Sequence, residues 1–130
     1  MYTIRVQSHY EQMWRYNLMA MCAGYDAAGE RLYVASAERV FNDDLNRGRV
    51  KLPPAPLDFV VGEPFVLECG AAESIHLIVY AVTHTLPEDR DVEQSPPFDM
   101  RITIERGSQM IYDQLHEVNQ WGGATVDIEM

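Results

Sequence analysis

Residues 98–105 place the tightest constraint on what this chain can fold into. Phe98, Met100, Ile102 and Ile104 alternate with Asp99, Arg101, Thr103 and Glu105. A period of two puts every apolar side chain on one face of an extended strand and every polar one on the other. At 3.6 residues per turn a helix would scatter the same residues around its cylinder. A strand with one wet face needs antiparallel neighbours and a second layer over its dry face, so the rest of the chain is read for sheets.

Further strands follow from the same pattern. Arg106-Gly107-Ser108 reads as a tight turn into a returning strand over 109–118, whose apolar residues Met110, Ile111, Tyr112, Leu115 and Val118 break strict alternation as a bulge near Asp113 would. Beyond Trp121-Gly122-Gly123, the residues Ala124, Val126, Ile128 and Met130 alternate with Thr125, Asp127 and Glu129. The segment 75–83 is apolar on both faces and belongs in the middle of a sheet. Phe65, Leu67 and Cys69 line a preceding strand, Leu57, Phe59 and Val61 a short one before that, and Tyr2, Ile4 and Val6 the first.

Two segments carry mixed signals. Tyr10, Met13, Trp14, Leu18, Met21 and Cys22 fall at helical spacing behind a Ser8/Glu11 capping box, which gives an α+β alternative with a helix over 9–23. Against it, Asp26-Ala27-Ala28-Gly29 is a hairpin turn, and the β-rich Leu32-Tyr33-Val34 beyond it requires a strand before it, over 15–24. The strand is preferred. A short helix is expected over 37–45, with Ser36 as N-cap, Glu38 in the first turn, and Val40, Phe41 and Leu45 facing inward. The resulting expectation is an all-β, two-sheet antiparallel β-sandwich of about seven or eight strands, forming one domain over 1–130.

Composition then narrows the partners. The chain has 130 residues, with 20 acidic groups against 10 basic ones and a formal charge of -10. Nucleic acid is a poor partner, since binding its backbone requires phosphates neutralised by Lys or Arg. An anionic membrane is disfavoured unless a cation bridges the two surfaces. The start of the chain lacks the basic and apolar regions of a secretory signal, so the sequence as written reads as cytoplasmic, although a mature form trimmed of its signal would look the same. Cys22 and Cys69 lie in apolar stretches and read as buried free thiols, with one bridge between them as the lesser reading.

No phosphate-cradling loop, dinucleotide fingerprint, nucleophile elbow, H-E-x-x-H or C-x-x-C is present. The most conspicuous polar segment runs from Glu88 through Ser95, where Asp89, Asp91 and Glu93, with Asp99 close behind, offer the hard oxygen ligands calcium takes. The alternative is a solvated acidic loop; Asp43 and Asp44 form a weaker pair. Of the four histidines (His9, His76, His84, His116), His76 and His84 fall on the face of Ile78, Tyr80 and Val82, with His84 the more accessible, and His84 or His116 beside an Asp is the only acid–base arrangement in view. Trp121 with Asn119 and Gln120, next to paired glycines, forms a candidate partner-binding loop, the alternative being that Trp121 closes one end of the core. The leading expectation is a non-catalytic protein-binding or structural module, working through a sheet edge or the Trp121 loop, or self-associating. A calcium-dependent module on 88–99 and a small enzyme with a dispersed His/Asp site are the alternatives. No cofactor is expected unless that loop takes calcium.

Overall fold

A computed structural model of the chain describes residues 1–41, 55–85 and 95–130. Within them are eight strands: β1 (Tyr2–Gln7), β2 (Tyr16–Tyr25), β3 (Arg31–Arg39), β4 (Phe65–Cys69), β5 (Ser74–Thr83), β6 (Phe98–Arg106), β7 (Gln109–Val118) and β8 (Ala124–Glu129). They form two four-stranded antiparallel sheets, ordered β4-β1-β6-β7 and β3-β2-β5-β8. The hairpins β2–β3 and β6–β7 stay within a sheet, and every other connection passes between the two.

The core lies between the sheets and is built from alternate residues of each strand. Ile4 and Val6 of β1, Leu18, Ala20 and Cys22 of β2, Leu77 and Val79 of β5, and Met100, Ile102 and Ile104 of β6 are all buried. A one-residue slip in any strand would turn that set out to water, so burial fixes the register. Thr103 is the exception in β6, buried on the polar side of its strand.

Several local expectations are corrected. The 9–23 helix does not form: a single 3-10 turn, Met13–Arg15, leads into β2. Ser8 caps no helix; its hydroxyl donates to the Asp99 carbonyl at 2.8 Å, tying the end of β1 to β6. The expected helix over 37–45 gives way at Ala37–Arg39, which continue β3 and pair with Leu18–Ala20; residues 42–45 lie outside the described residues. A ladder already formed along β2 outweighs one N-cap and one first-turn acid. Leu57 and Val61 lie in turns and Phe59 in the irregular segment between them, instead of in a strand. The bulge in β7 falls at Ile111, where Ile104 opposes Tyr112 and Glu105 opposes Met110, two residues before Asp113.

Two turns depend on glycine. In the β2–β3 hairpin, the Asp26 carboxylate accepts from the Ala28 and Glu30 N–H groups, both at 2.9 Å, while Gly29 takes φ 81°. In the β7–β8 turn, Gly123 has φ 74°, and a Cβ there would lie 2.0 Å from the Ala81 carbonyl oxygen. Gly107 also has a positive φ, 60°, but a Cβ there would meet nothing within 4 Å. Gly107→Ala should therefore cost about 1 kcal/mol of backbone strain alone. Gly123→Ala adds a backbone clash and should cost well over about 2 kcal/mol. Urea midpoints of the two variants check the difference; equal losses would mean that the β7–β8 turn yields to the added methyl.

Candidate functional site

The short turn Met13–Arg15 swings the Arg15 side chain into the end of the sandwich, where it is 0% exposed. Its Nε donates to Thr85 Oγ1 at 3.2 Å, and its Nη1 donates to the Tyr10 hydroxyl and to Gln120 Oε1, each at 3.0 Å. Its Nη2 donates to the Gln120 carbonyl at 3.1 Å, which also accepts from the Tyr16 hydroxyl at 3.1 Å. Gln120 Nε2 donates in turn to the Pro96 carbonyl at 2.7 Å. The guanidinium lies 5.3 Å from the Tyr16 ring centroid. Among the described residues no carboxylate takes part, so neutral oxygens and one aromatic face solvate the charge. Burial pushes the Tyr16 hydroxyl far above its ordinary range, with the Arg15 charge opposing part of that shift.

His84 belongs to the same end. The strand stops at Thr83, and the backbone N–H of His84 donates to the Arg15 carbonyl at 3.0 Å. Its Nε2 donates to the Trp14 carbonyl at 2.7 Å, and its Nδ1 is buried with no partner among the described residues. The ring is thus enclosed, contrary to the accessible position expected for it. Burial lowers its pKa, and the neighbouring Arg15 charge lowers it further. His116 is half-buried on β7, 2.7 Å from the Tyr112 hydroxyl, and burial lowers its pKa too.

Of the candidate calcium ligands, Asp89, Asp91 and Glu93 lie outside the described residues, as do Glu88, Asp43 and Asp44. Asp99 is exposed at the start of β6, opposite Glu117. In the candidate partner loop, Asn119 is exposed, but its side-chain oxygen accepts from the Trp121 and Gly122 N–H groups at 2.8 and 3.0 Å, holding the turn. Gln120 is buried in the Arg15 network. Trp121 is half-buried, its indole N–H enclosed without a partner. Cys22 and Cys69 are free and buried; they face each other from the two sheets, and a hydrogen bond to Cys69 together with burial holds the Cys22 thiol protonated.

No local pattern signals how the two outer faces differ. On the first sheet the outer face sets two ion pairs, Arg5 with Glu105 at 2.9 Å and Arg101 with Asp113 at 2.6 Å, among the exposed apolar residues Val66, Met110 and Leu115, each opposite a member of those pairs. On the second sheet the register lines up Met19 beside Tyr80, Met21 beside Ile78, and Asn17 beside Val82. Met19 and Met21 are each 39% exposed, Val82 52% and, on β3, Val34 51%. Exposed acids border them: Glu38 on one edge strand, Asp127 and Glu129 on the other. Period-two reading does place Ile78, Tyr80 and Val82 on one face of β5, but it takes them for core. Only the assembled sheets reveal that nothing in the described chain covers them. No protein-family model, curated protein or solved structure matches the chain.

Two outcomes follow from the Arg15 network. Gln120→Ala removes one acceptor from a buried cation and a donor from the Pro96 carbonyl, and should cost about 2–3 kcal/mol in chemical denaturation; a loss near zero would mean water replaces the amide. For His84, a folded-state pKa below the unfolded value of 6.5 makes the unfolded chain bind more protons. Stability is then complete above that value and falls as the pH drops below it, by at most about 1.4 kcal/mol per pH unit for one proton. His116 acts in the same direction, so His84→Gln should flatten the slope without abolishing it. Identical slopes for wild type and H84Q would show that His84 does not titrate differently in the two states.

Proposed function

We propose that this chain is a non-catalytic protein-binding module that docks its partner on the outer face of the β3-β2-β5-β8 sheet. The observation that supports this reading is that apolar side chains lie side by side across β2 and β5 on this face, Met19 with Tyr80 and Met21 with Ile78, whereas on the other sheet's outer face Val66, Met110 and Leu115 each lie opposite a charged residue. Exposed apolar side chains scattered singly are ordinary, whereas a contiguous set framed by charge is what an interaction surface presents. Two methionines at its centre suit such a role, because their unbranched side chains adapt to the shape laid against them.

Size and charge define the partner. The apolar strip covers three strands about 4.8 Å apart and about 13 Å along their length, which matches one extended segment or one amphipathic helix better than a whole domain. Its acidic border and the net charge of -10 favour a partner with Lys or Arg flanking apolar residues. A second copy of the chain would bring acid against acid, so self-association is disfavoured at this face. Trp121 and Asn119 are weaker candidates, since the Asn119 side chain is engaged in holding its own turn and the Trp121 indole N–H is enclosed.

The test is selection from a randomised peptide library on immobilised protein, followed by titration of the selected peptides against wild type and a Met21→Glu/Ile78→Glu double variant. Both side chains reach the surface, so the variant should lose no more than about 2 kcal/mol of stability. The selected peptides should combine basic and large apolar residues, weaken as salt is added, and bind the double variant at least about tenfold less tightly. Failure to select any binder, or peptides that bind both proteins equally, would overturn the reading.

A further inference from the structure

The far end of the second sheet carries a different kind of cluster. Asp127 and Glu129 are two residues apart on β8 and therefore share its outer face. On the neighbouring strand His76 lies directly opposite Glu129, and Ile78 opposite Asp127. The His76 Nε2 comes within 2.6 Å of an Asp127 carboxylate oxygen. One ligand atom from each of His76, Asp127 and Glu129 lies within 4.8 Å of the other two. His76, Glu129, Tyr25, Ser74 and Met130 border an open hollow of about 390 Å³ at this corner.

A His76–Asp127 hydrogen bond accounts for two of the three groups and leaves the third unexplained. Two carboxylates this close repel each other, and among the described residues no Arg or Lys pairs with either. Arg5 and Arg101 are bound to Glu105 and Asp113 on the other sheet, Arg15 is buried in its own network, Arg39 and Arg106 donate to the carbonyls of Glu63 and Ala72, and Arg31, exposed at the start of β3, makes no ion pair among the described residues. A divalent cation would relieve the repulsion and engage all three groups at once.

We propose that His76, Asp127 and Glu129 form a binding site for a divalent transition-metal ion, of which zinc is the representative. One imidazole nitrogen and two carboxylate oxygens make a mixed donor set of the kind zinc accepts, at about 2.0–2.2 Å from the ion. Those bond lengths put ligand atoms roughly 3.3 Å apart around a tetrahedron. Side-chain rotations suffice to reach it: no pair of ligand atoms, all within 4.8 Å of one another, has to close by more than about 1.5 Å, and the 2.6 Å His76–Asp127 contact opens slightly. Calcium fits poorly, since it takes six to eight oxygens and no nitrogen. Three protein ligands leave at least one coordination position for water or a group from outside the chain. Asp127 and Glu129 also border the docking face, but zinc uptake by the chain without a partner tests this inference separately, because it does not depend on the apolar residues substituted in the docking test.

Calorimetric titration of zinc into the chelator-stripped full chain tests it, run on wild type, His76→Ala and Glu129→Gln. The expected result is one equivalent bound, with each substitution weakening affinity at least about tenfold, since loss even of an outer-shell partner costs 10–100-fold. Circular dichroism verifies the fold, and Asp127→Asn replaces either variant if its spectrum departs from wild type. No saturable uptake up to millimolar zinc, or affinity kept within tenfold by either variant, would show that the ion binds elsewhere or not at all.

Discussion

The end of the sandwich is organised by one buried positive charge. A guanidinium withdrawn from water cannot be deprotonated away, and it costs several kcal/mol unless its N–H groups find acceptors. Arg15 finds them in four places: the turn after β1, the segment after β5, the β7–β8 turn and, through Gln120, the Pro96 segment before β6. These are connections that pass between the sheets, so satisfying one side chain also fixes how the sheets are joined. The Tyr10 ring stacks on Phe98 with centroids 4.1 Å apart, and Phe98 meets Tyr16 edge-on at 5.3 Å, which closes the apolar side of the same cluster. Well-packed apolar residues can match a buried polar network in stability. What the network adds here is a single set of partners: moving any one connection leaves a donor unmet in a dry interior.

With that end fixed, the alternation of each strand decides the rest. Every strand has one face committed to the core, and its other face is free to differ between the sheets. On the first sheet it carries cross-strand ion pairs of the exposed kind, which contribute little stability but keep the face wet. Arg101 holds the Asp113 carboxyl below its usual range through their hydrogen bond, and that bond lies entirely at the surface. The second sheet carries methionine, isoleucine, tyrosine and valine in the equivalent rows. Neither arrangement is required to fold a sandwich. An adjacent run of uncovered apolar side chains brings a risk of aggregation that the first sheet lessens by setting Val66, Met110 and Leu115 opposite charged residues.

Much of the architecture was legible because a half-wet strand announces itself. The 98–105 alternation, the Asp26–Gly29 turn and the Phe65, Leu67 and Cys69 spacing each appear in the structure where the sequence puts them. The errors lie where local and long-range signals compete. Ser36 and Glu38 look like a helix start only until β2 offers Ala37–Arg39 a ladder, and Leu57, Phe59 and Val61 alternate without any strand to pair with. The sites were less legible for a related reason. Asp127 and Glu129 are visibly two apart on a wet face, but that His76 lies across from them depends on β5 pairing with β8, which no local pattern encodes. The role of Arg15 was invisible as well: a lone arginine before a strand gives no sign that Gln120, more than a hundred residues later, receives it.

The candidate metal cluster has a competing structural explanation, and the two make different demands. β8 is an edge strand, and charged side chains on edge strands discourage pairing with other chains. That purpose needs only charge; lysine would serve it, and it places no condition on the strand next door. The observed cluster goes further. Its two acids face a histidine across the ladder and come within reach of one common point, although repulsion would favour spreading them apart. The Arg15 network pins the opposite ends of β2, β5 and β8, roughly 15–25 Å away along the strands. The strands that carry the cluster are therefore held in register by a core that does not depend on it. A ligand set mounted on rigid paired strands keeps its geometry better than one on a loop, and an acidic loop is where the sequence first pointed. Convergence on a rigid support, against electrostatic preference, is the feature that edge protection leaves unexplained and that a bound cation accounts for.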